Sequence, residues 1–337
     1  RPKPKSMHKL TSLAALIFAT TFTLFSQSKK GPSFKTFNFD EGEYRQWELI
    51  IKTDNSSFFG ESTPVLRNIS PIKLFPNAKT VEHYFFYGRS YTDPHLENYY
   101  LIKCIDSLHL FDLYNYASLH SAVEVVEFNG VMSSFSGVNS NQAPHQSINL
   151  DSLKTAFQDS SASDSNEVIA ILDTGVDWLH PSLGGKLKYS SEKGGTPNFD
   201  DDGNGLVDDS IGYDFFYVDN SPMDENGHGT HVTGLACGNG YNGVQGASIS
   251  AKYMPVQVLD YLGYGTASVL AQGIEYAANN GASIVNMSLG GSDSKVVRDA
   301  LVYANFYCDY LVAAAGNSTL PLPGGCAIPG MTFPAAY

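Results

Sequence analysis

Two hydrophobic rhythms divide the chain. Between Arg45 and Phe128, short β-branched or aromatic runs recur: WELII from position 47, VEHYFF from 81, YYLIKCI from 99 and AVEVVEF from 122. Such runs between polar turns predict strands. In LHLFDLYNYASLH, from 108, Leu110, Leu113 and Tyr114 fall at helical spacing, which predicts a helix among the strands. A small α+β unit over residues 40–130 is expected. From Asn129 to Asn166 the chain turns polar, with Gly, Ser, Asn and Gln concentrated in NGVMSSFSGVNSNQAPHQS and QDSSASDSN, and residues 131–166 fall within it. They are read as a linker and the start of a second unit, with a short helix at 150–157.

From Glu167 the rhythm changes. EVIAIL from 167, YMPVQVL from 253, SIVNMSL from 283 and YLVAAAG from 310 are near-continuous apolar runs. That pattern fits strands buried on both faces. Helices are predicted between them, at 232–236, at 267–279 closed by Asn280 and Gly281, and at 295–306. Strands alternating with helices imply an α/β unit over 167–337, a parallel sheet flanked by helices. In such sheets, sites form at the carboxyl ends of the strands.

The composition narrows the function. Net charge is −13 with 21 Lys and Arg in 337 residues, which argues against a nucleic-acid partner that would need broad phosphate neutralisation. The cysteines Cys104, Cys237, Cys308 and Cys326 form no CxxC. They are too few for a disulfide framework; a Cys308–Cys326 bridge and free buried thiols both stay open. Residues 7–28, MHKLTSLAALIFATTFTLFSQS, read as a signal peptide with a basic start, an apolar stretch and small residues Ser26 and Ser28 near a cleavage point. A secreted protein, without membrane attachment after cleavage, is expected.

Three stretches carry candidate chemistry. In AILDTGVD, Asp173 stands where an apolar strand gives way to a turn. In NGHGTHVTG, His228 and His231 lie three apart at a helix start. A zinc pair of the common kind would need i, i+4 spacing and an intervening Glu, and Gly227 and Gly229 let backbone pass close to His228. His231 is the better candidate for a hydrogen-bonded core histidine. In VAAAGNS, Asn317 follows a strand of small residues, and its amide could donate to a developing oxyanion. Asn286-Met-Ser and Asn317-Ser-Thr match glycosylation sequons, but both fall in segments expected to be buried or catalytic.

Taken together and in order, DTGVD, HGTHVTG, NMSLGG and AAAGNS resemble the subtilisin-like serine peptidases, the subtilases, from about Ser147 to the last residue. The resemblance implies that Asp173 orients the imidazole, that His228 is the general base, that Asn317 is the oxyanion donor, and that His231 is scaffolding. It also implies that an extended peptide or protein substrate binds along Ser288, Leu289 and Gly290 on one side and Gly263, Tyr264 and Gly265 on the other. The family's nucleophile lies in a GTSMA block, and no such block occurs here. The expectation is a peptidase chain cut short before its serine, inactive as it stands. The α+β unit is expected to be a propeptide, an intramolecular inhibitor ending near SAVEVVEFNG.

No catalytic cofactor is expected. DDDGNGLVDD, from 200, has Asp200, Asp202 and Asn204 at positions 1, 3 and 5, Gly205 at 6 and the Leu206 carbonyl at 7, the front of a calcium loop. Ile211 stands where a bidentate Glu is usual, so Asp208 or Asp209 would have to substitute. A structural calcium is expected. Two competing readings are a non-catalytic secreted calcium-binding module on the same fold and a metallohydrolase built on His228 and His231.

Overall fold

The computed structural model describes residues 24–26, 33–35, 44–53, 78–83, 96, 98–104, 107–119, 123–134, 167–248, 250–316, 319–321, 327–329 and 332–337. After a short antiparallel pair, β1 (Leu24–Ser26) and β2 (Ser33–Lys35), come β3 (Tyr44–Thr53), β4 (Ala78–His83), β5 (Tyr99–Cys104), helix α1 (Ser107–Leu119) and β6 (Val123–Ser134). β3, β4, β5 and β6 form an antiparallel sheet in the order β6-β3-β5-β4. The period of two decides its faces. Leu49, Ile51, Tyr100, Ile102 and Phe128 turn to α1 and meet Leu110, Leu113, Tyr114 and Ala117. Ile50, Tyr99 and Leu101 turn the other way, into the large core of the second unit.

The second unit holds β7 (Val168–Asp173), β8 (Tyr213–Asp214), α2 (His228–Cys237), β9 (Lys252–Gln257), β10 (Tyr264–Thr266), α3 (Ala267–Asn279), β11 (Ile284–Met287), β12 (Leu289–Gly291), α4 (Lys295–Ala304) and β13 (Tyr310–Ala313). A last antiparallel pair, β14 (Thr319–Pro321) and β15 (Ala327–Pro329), follows. Five strands make an all-parallel sheet in the order β13-β11-β7-β9-β8. β7 is central, and every residue of it is buried. Ala170 and Leu172 face the core shared with α3 and α4. Ile169 and Ile171 face Cys237 of α2 together with Val176, Leu183 and Tyr253. Fully burying side chains of this size contributes about 1.5–3 kcal/mol each, so both helical layers are held by the same strand.

The α/β architecture and the parallel sheet flanked by helices agree with the sequence pattern, and α3 runs over the predicted 267–279 with Thr266 capping its first turn and Gly281 at φ +78° after its end. α2 begins four residues earlier than the hydrophobic run, at His228. β13 departs from the expected burial on both faces: as an edge strand it leaves Tyr310 and Val312 exposed. β6 runs on to Ser134, into the stretch read as polar linker, because two strands of the second unit pair with it there. Cys104, Cys237 and Cys308 are buried; Cys326, and with it the Cys308–Cys326 bridge, lies outside the described residues, as does the predicted 150–157 helix. Among the described residues, no helix is long and apolar enough to cross a membrane.

Candidate active site

Asp173 ends β7, and its side chain is buried completely. Its Oδ1 accepts the backbone N–H of Thr174 at 2.8 Å and meets His228 Nδ1 at 2.7 Å. His228 is the first residue of α2, entered through Gly227 at φ +100°. The close approach depends on Gly229, where a Cβ would run into the Gly175 carbonyl oxygen. The helix start can therefore lie flush on the strand end. Burial pushes the Asp173 carboxyl upward, while the hydrogen bond and charge of His228 pull it back. An ionised carboxylate on Nδ1 fixes the tautomer with Nδ1–H, which leaves Nε2 as a proton acceptor. The pair is an acid–base couple with an oriented imidazole.

Near His228, the last strand of the first unit lies between two strands of the second. β10 and β12 both pair antiparallel with β6, from opposite sides. Ser133 is opposite Tyr264 on one flank and Gly290 on the other; Met132 is opposite Gly265 and Gly291. Met132 is fully buried there. The Ser134 N–H donates to the Gly263 carbonyl at 2.8 Å. Gly263, at φ +84°, lies beside Ser134 and Asn226, and Asn226 is two residues from His228. Gly263, Tyr264, Gly265, Leu289 and Gly290 are thus gathered around one strand, and Ser288, which accepts a hydrogen bond from Asn286 Nδ2, precedes β12.

The acidic loop folds on itself. Asp200 accepts the backbone N–H groups of Gly203, Asn204 and Gly205, and Asp202 accepts those of Asn204 and the Ser191 hydroxyl. Carboxylate oxygens of Glu192, Asp200 and Asp202 lie within 4.8 Å of one another, a spacing that fits shared oxygen ligands of a hard cation. Asn204 Oδ1 accepts the Leu206 N–H, and its amide donates to Asp209. Asp208 accepts the Asn198 N–H. Asp209 is buried against Asn204 and Tyr276, and burial pushes its carboxyl up to about 6. Glu192, eight residues ahead of Asp200, has no signal in the loop pattern; it arrives through its hydrogen bonds from Asp201 and Asp209 N–H.

His231 is exposed on α2 and so is not the core histidine expected: Gly229, Thr233, Gly234 and Cys237 form the buried side of the helix, and His231 lies off it. Among the described residues, neither His231 nor His228 belongs to a cluster of three or more His, Cys, Asp or Glu side chains with ligand atoms within 4.8 Å of one another. Asn317 lies outside the described residues. Asn286 of the first sequon is half-buried in β11. Sequence reasoning also passed over Asp224, whose carboxylate ties the two halves of the site together.

The sequence profile of the subtilase family of peptidases matches residues 164–337. A thermophilic serine proteinase of Bacillus sp. (strain AK1) is 38% identical over 157 residues, covering 46% of this chain and 34% of that protein. Thermitase of Thermoactinomyces vulgaris is 37% identical over 179 residues, covering 52% of this chain and 53% of thermitase. The chain therefore spans about a third to a half of these relatives. Among solved structures, fervidolysin from Fervidobacterium pennivorans, a keratinolytic enzyme related to subtilisin, superposes with a TM-score of 0.60 at 19% identity, over 89% of this chain and 43% of that one. At that identity the likeness shows the fold.

Proposed function

Because the chain belongs to the subtilase family of serine peptidases, we propose that it is the acid–base half of a secreted endopeptidase that cleaves peptide bonds through an acyl-enzyme. The observation that carries the reading is the 2.7 Å contact between Asp173 Oδ1 and His228 Nδ1 at a strand end. In this reading His228 Nε2 takes the proton of a serine hydroxyl as that oxygen attacks the peptide carbonyl, then returns it to the leaving amine. Asp173 stabilises the imidazolium formed between the two transfers. Asn317 donates to the oxyanion. The serine would come from a GTSMA-type block that is not part of residues 1–337, and these residues alone would not hydrolyse peptides.

Substrate would bind as an added strand between β10 and β12, its main chain satisfied on both edges. The support is that β6 already lies there with antiparallel register on each side. The same pairing makes the α+β unit an intramolecular inhibitor: while β6 fills that place, no other peptide can. Release would need a cut just past Ser134, the last residue of β6, whose N–H is held by the Gly263 carbonyl. Residues 7–28 would direct secretion and be removed.

Glu192, Asp200 and Asp202 would hold a calcium ion, whose charge would stabilise the acidic loop; it takes no part in the proton transfers.

The test uses the whole gene product. A GTSMA-type block read beyond Tyr337, peptide hydrolysis lost in Asp173→Ala and His228→Ala, and a mature amino terminus just past Ser134 by mass spectrometry support the reading. A stop codon reached without such a block sinks it in favour of a non-catalytic module, and zinc-dependent hydrolysis in favour of a metallohydrolase.

A further inference from the structure

Asp224 is four residues ahead of His228, in the loop before α2, and makes more hydrogen bonds than the catalytic carboxylate itself. Its Oδ1 accepts the Thr174 hydroxyl at 2.9 Å and the backbone N–H groups of Asn226 at 2.9 Å and Gly227 at 2.8 Å. Its Oδ2 accepts the Thr230 N–H at 2.8 Å and the Thr230 hydroxyl at 2.6 Å. Both threonines pass the link on. Thr174 Oγ1 accepts the Gly229 N–H at 3.1 Å, and Thr230 Oγ1 accepts the Asp177 N–H at 2.9 Å. The result is a closed ring, Asp224 to Thr174 to Gly229 to Thr230 and back. It ties the residue after Asp173 to the residues on both sides of His228.

We propose that Asp224 is a positioning residue for the acid–base couple: by binding Thr174 with one oxygen and Thr230 with the other, it sets the distance between the β7 end and the α2 start, and so holds His228 Nδ1 on Asp173 Oδ1. The inference rests on the reading of Asp173 and His228 as that couple.

The chemistry requires a carboxylate. Five donors converge on two oxygens, and only an acceptor-only group with about four lone-pair sites can take them. Asparagine is isosteric, but its NH₂ must replace one oxygen. Turned toward Oδ2, it faces the Thr230 N–H; turned toward Oδ1, it faces the N–H groups of Asn226 and Gly227. Backbone N–H groups cannot reverse, so either orientation sets donor against donor and opens the ring. Asp224 also adds a second negative charge near the site, felt at Asp173 as an upward push on its carboxyl.

The experiment is proton NMR on the 1–337 chain, following the low-field resonance of the His228 Nδ1 proton, assigned by its loss in His228→Gln. Circular dichroism and thermal melting report the fold of each variant. The resonance is expected in the wild type and should vanish in Asp173→Asn; its survival there would overturn the acid–base reading itself. In Asp224→Asn the resonance should be lost or moved upfield while the fold persists. Thr230→Val, which removes one hydroxyl from the ring and keeps the backbone donor, should move it in the same direction by less, and it decides the matter if Asp224→Asn does not fold. A folded Asp224→Asn or Thr230→Val chain whose His228 proton resonates where the wild type's does would overturn the proposal, because a carboxylate serving only loop stability would lower the melting temperature and leave that proton in place.

Discussion

Asp173 Oδ1 lies 2.7 Å from His228 Nδ1, although 55 residues separate them in the chain. Asparagine at 173 keeps the shape but presents an amide to the ring, so it favours the tautomer with its proton on Nε2. In the triad of a serine peptidase the corresponding change lowers kcat about 10⁴-fold. The same loss is expected for Asp173→Asn in the whole gene product, measured on a peptide substrate. His231→Ala, on the exposed side of α2, should leave kcat within about twofold.

A buried ionic contact joins the two units. Lys52 Nζ on β3 donates to Asp299 Oδ2 on α4 at 3.3 Å, Tyr99 Oη donates to the same oxygen at 2.9 Å, and Lys295 pairs with Oδ1. Asp299 is only 3% exposed. Removing one partner of a buried pair strands the other. Lys52→Met should therefore cost about 3 kcal/mol, softened by the Lys295 that remains, whereas Lys52→Met with Asp299→Leu should recover only part of the loss, because the leucine also takes an acceptor from Tyr99 and Lys295. Urea unfolding of the single and double variants measures the coupling.

Glu275 is buried in α3, and desolvation pushes its carboxyl from 4.5 up to about 8. Its folded-state value is raised, so the folded chain holds a proton that the unfolded chain has already lost. Stability is full below the unfolded value and declines as pH rises from about 4.5 through 8. The gap between the two values corresponds to at most about 5 kcal/mol. Glu275→Gln should flatten this limb, and denaturant midpoints at pH 5 and pH 9 report it; parallel losses in both proteins would contradict it.

Calcium should raise the melting temperature of the 1–337 chain, and chelation should lower it. At a free concentration 100 times Kd the gain is about 2.7 kcal/mol. Asp200→Asn and Glu192→Gln should each reduce the calcium-dependent rise, whereas Asp208→Asn, whose carboxylate accepts the Asn198 N–H, should reduce it less. A melting curve indifferent to calcium removes the ion from this loop.

The parallel sheet was legible because β7 and β9 are apolar almost throughout, a pattern with few other uses. Asp173 and His228 stood out because DTGVD and HGTHVTG resemble subtilase blocks; the glycines beside them fit a close backbone approach but left other readings open. What stayed hidden depends on partners far away in sequence. VMSS, the end of β6, reads as polar linker until β10 and β12 supply its hydrogen bonds. Glu192 reads as an ordinary surface acid until the loop folds back on it. Asp224 stands two residues before NGHGTHVTG, and a carboxylate four residues before a histidine carries no signal until Thr174 is brought beside it. β13 misled in the other direction: its apolar run promised burial on both faces, but an edge position leaves Tyr310 and Val312 to solvent.

In the proposed mechanism, Asp173 and His228 activate a serine. The most direct measurement is intact-mass analysis of the whole gene product after exposure to a fluorophosphonate, which bonds covalently to an activated serine oxygen. The wild type should gain the mass of the label, and His228→Ala should gain none under the same conditions. Labelling that is unchanged in His228→Ala, or peptide hydrolysis by a wild-type protein that takes no label, would contradict the claim.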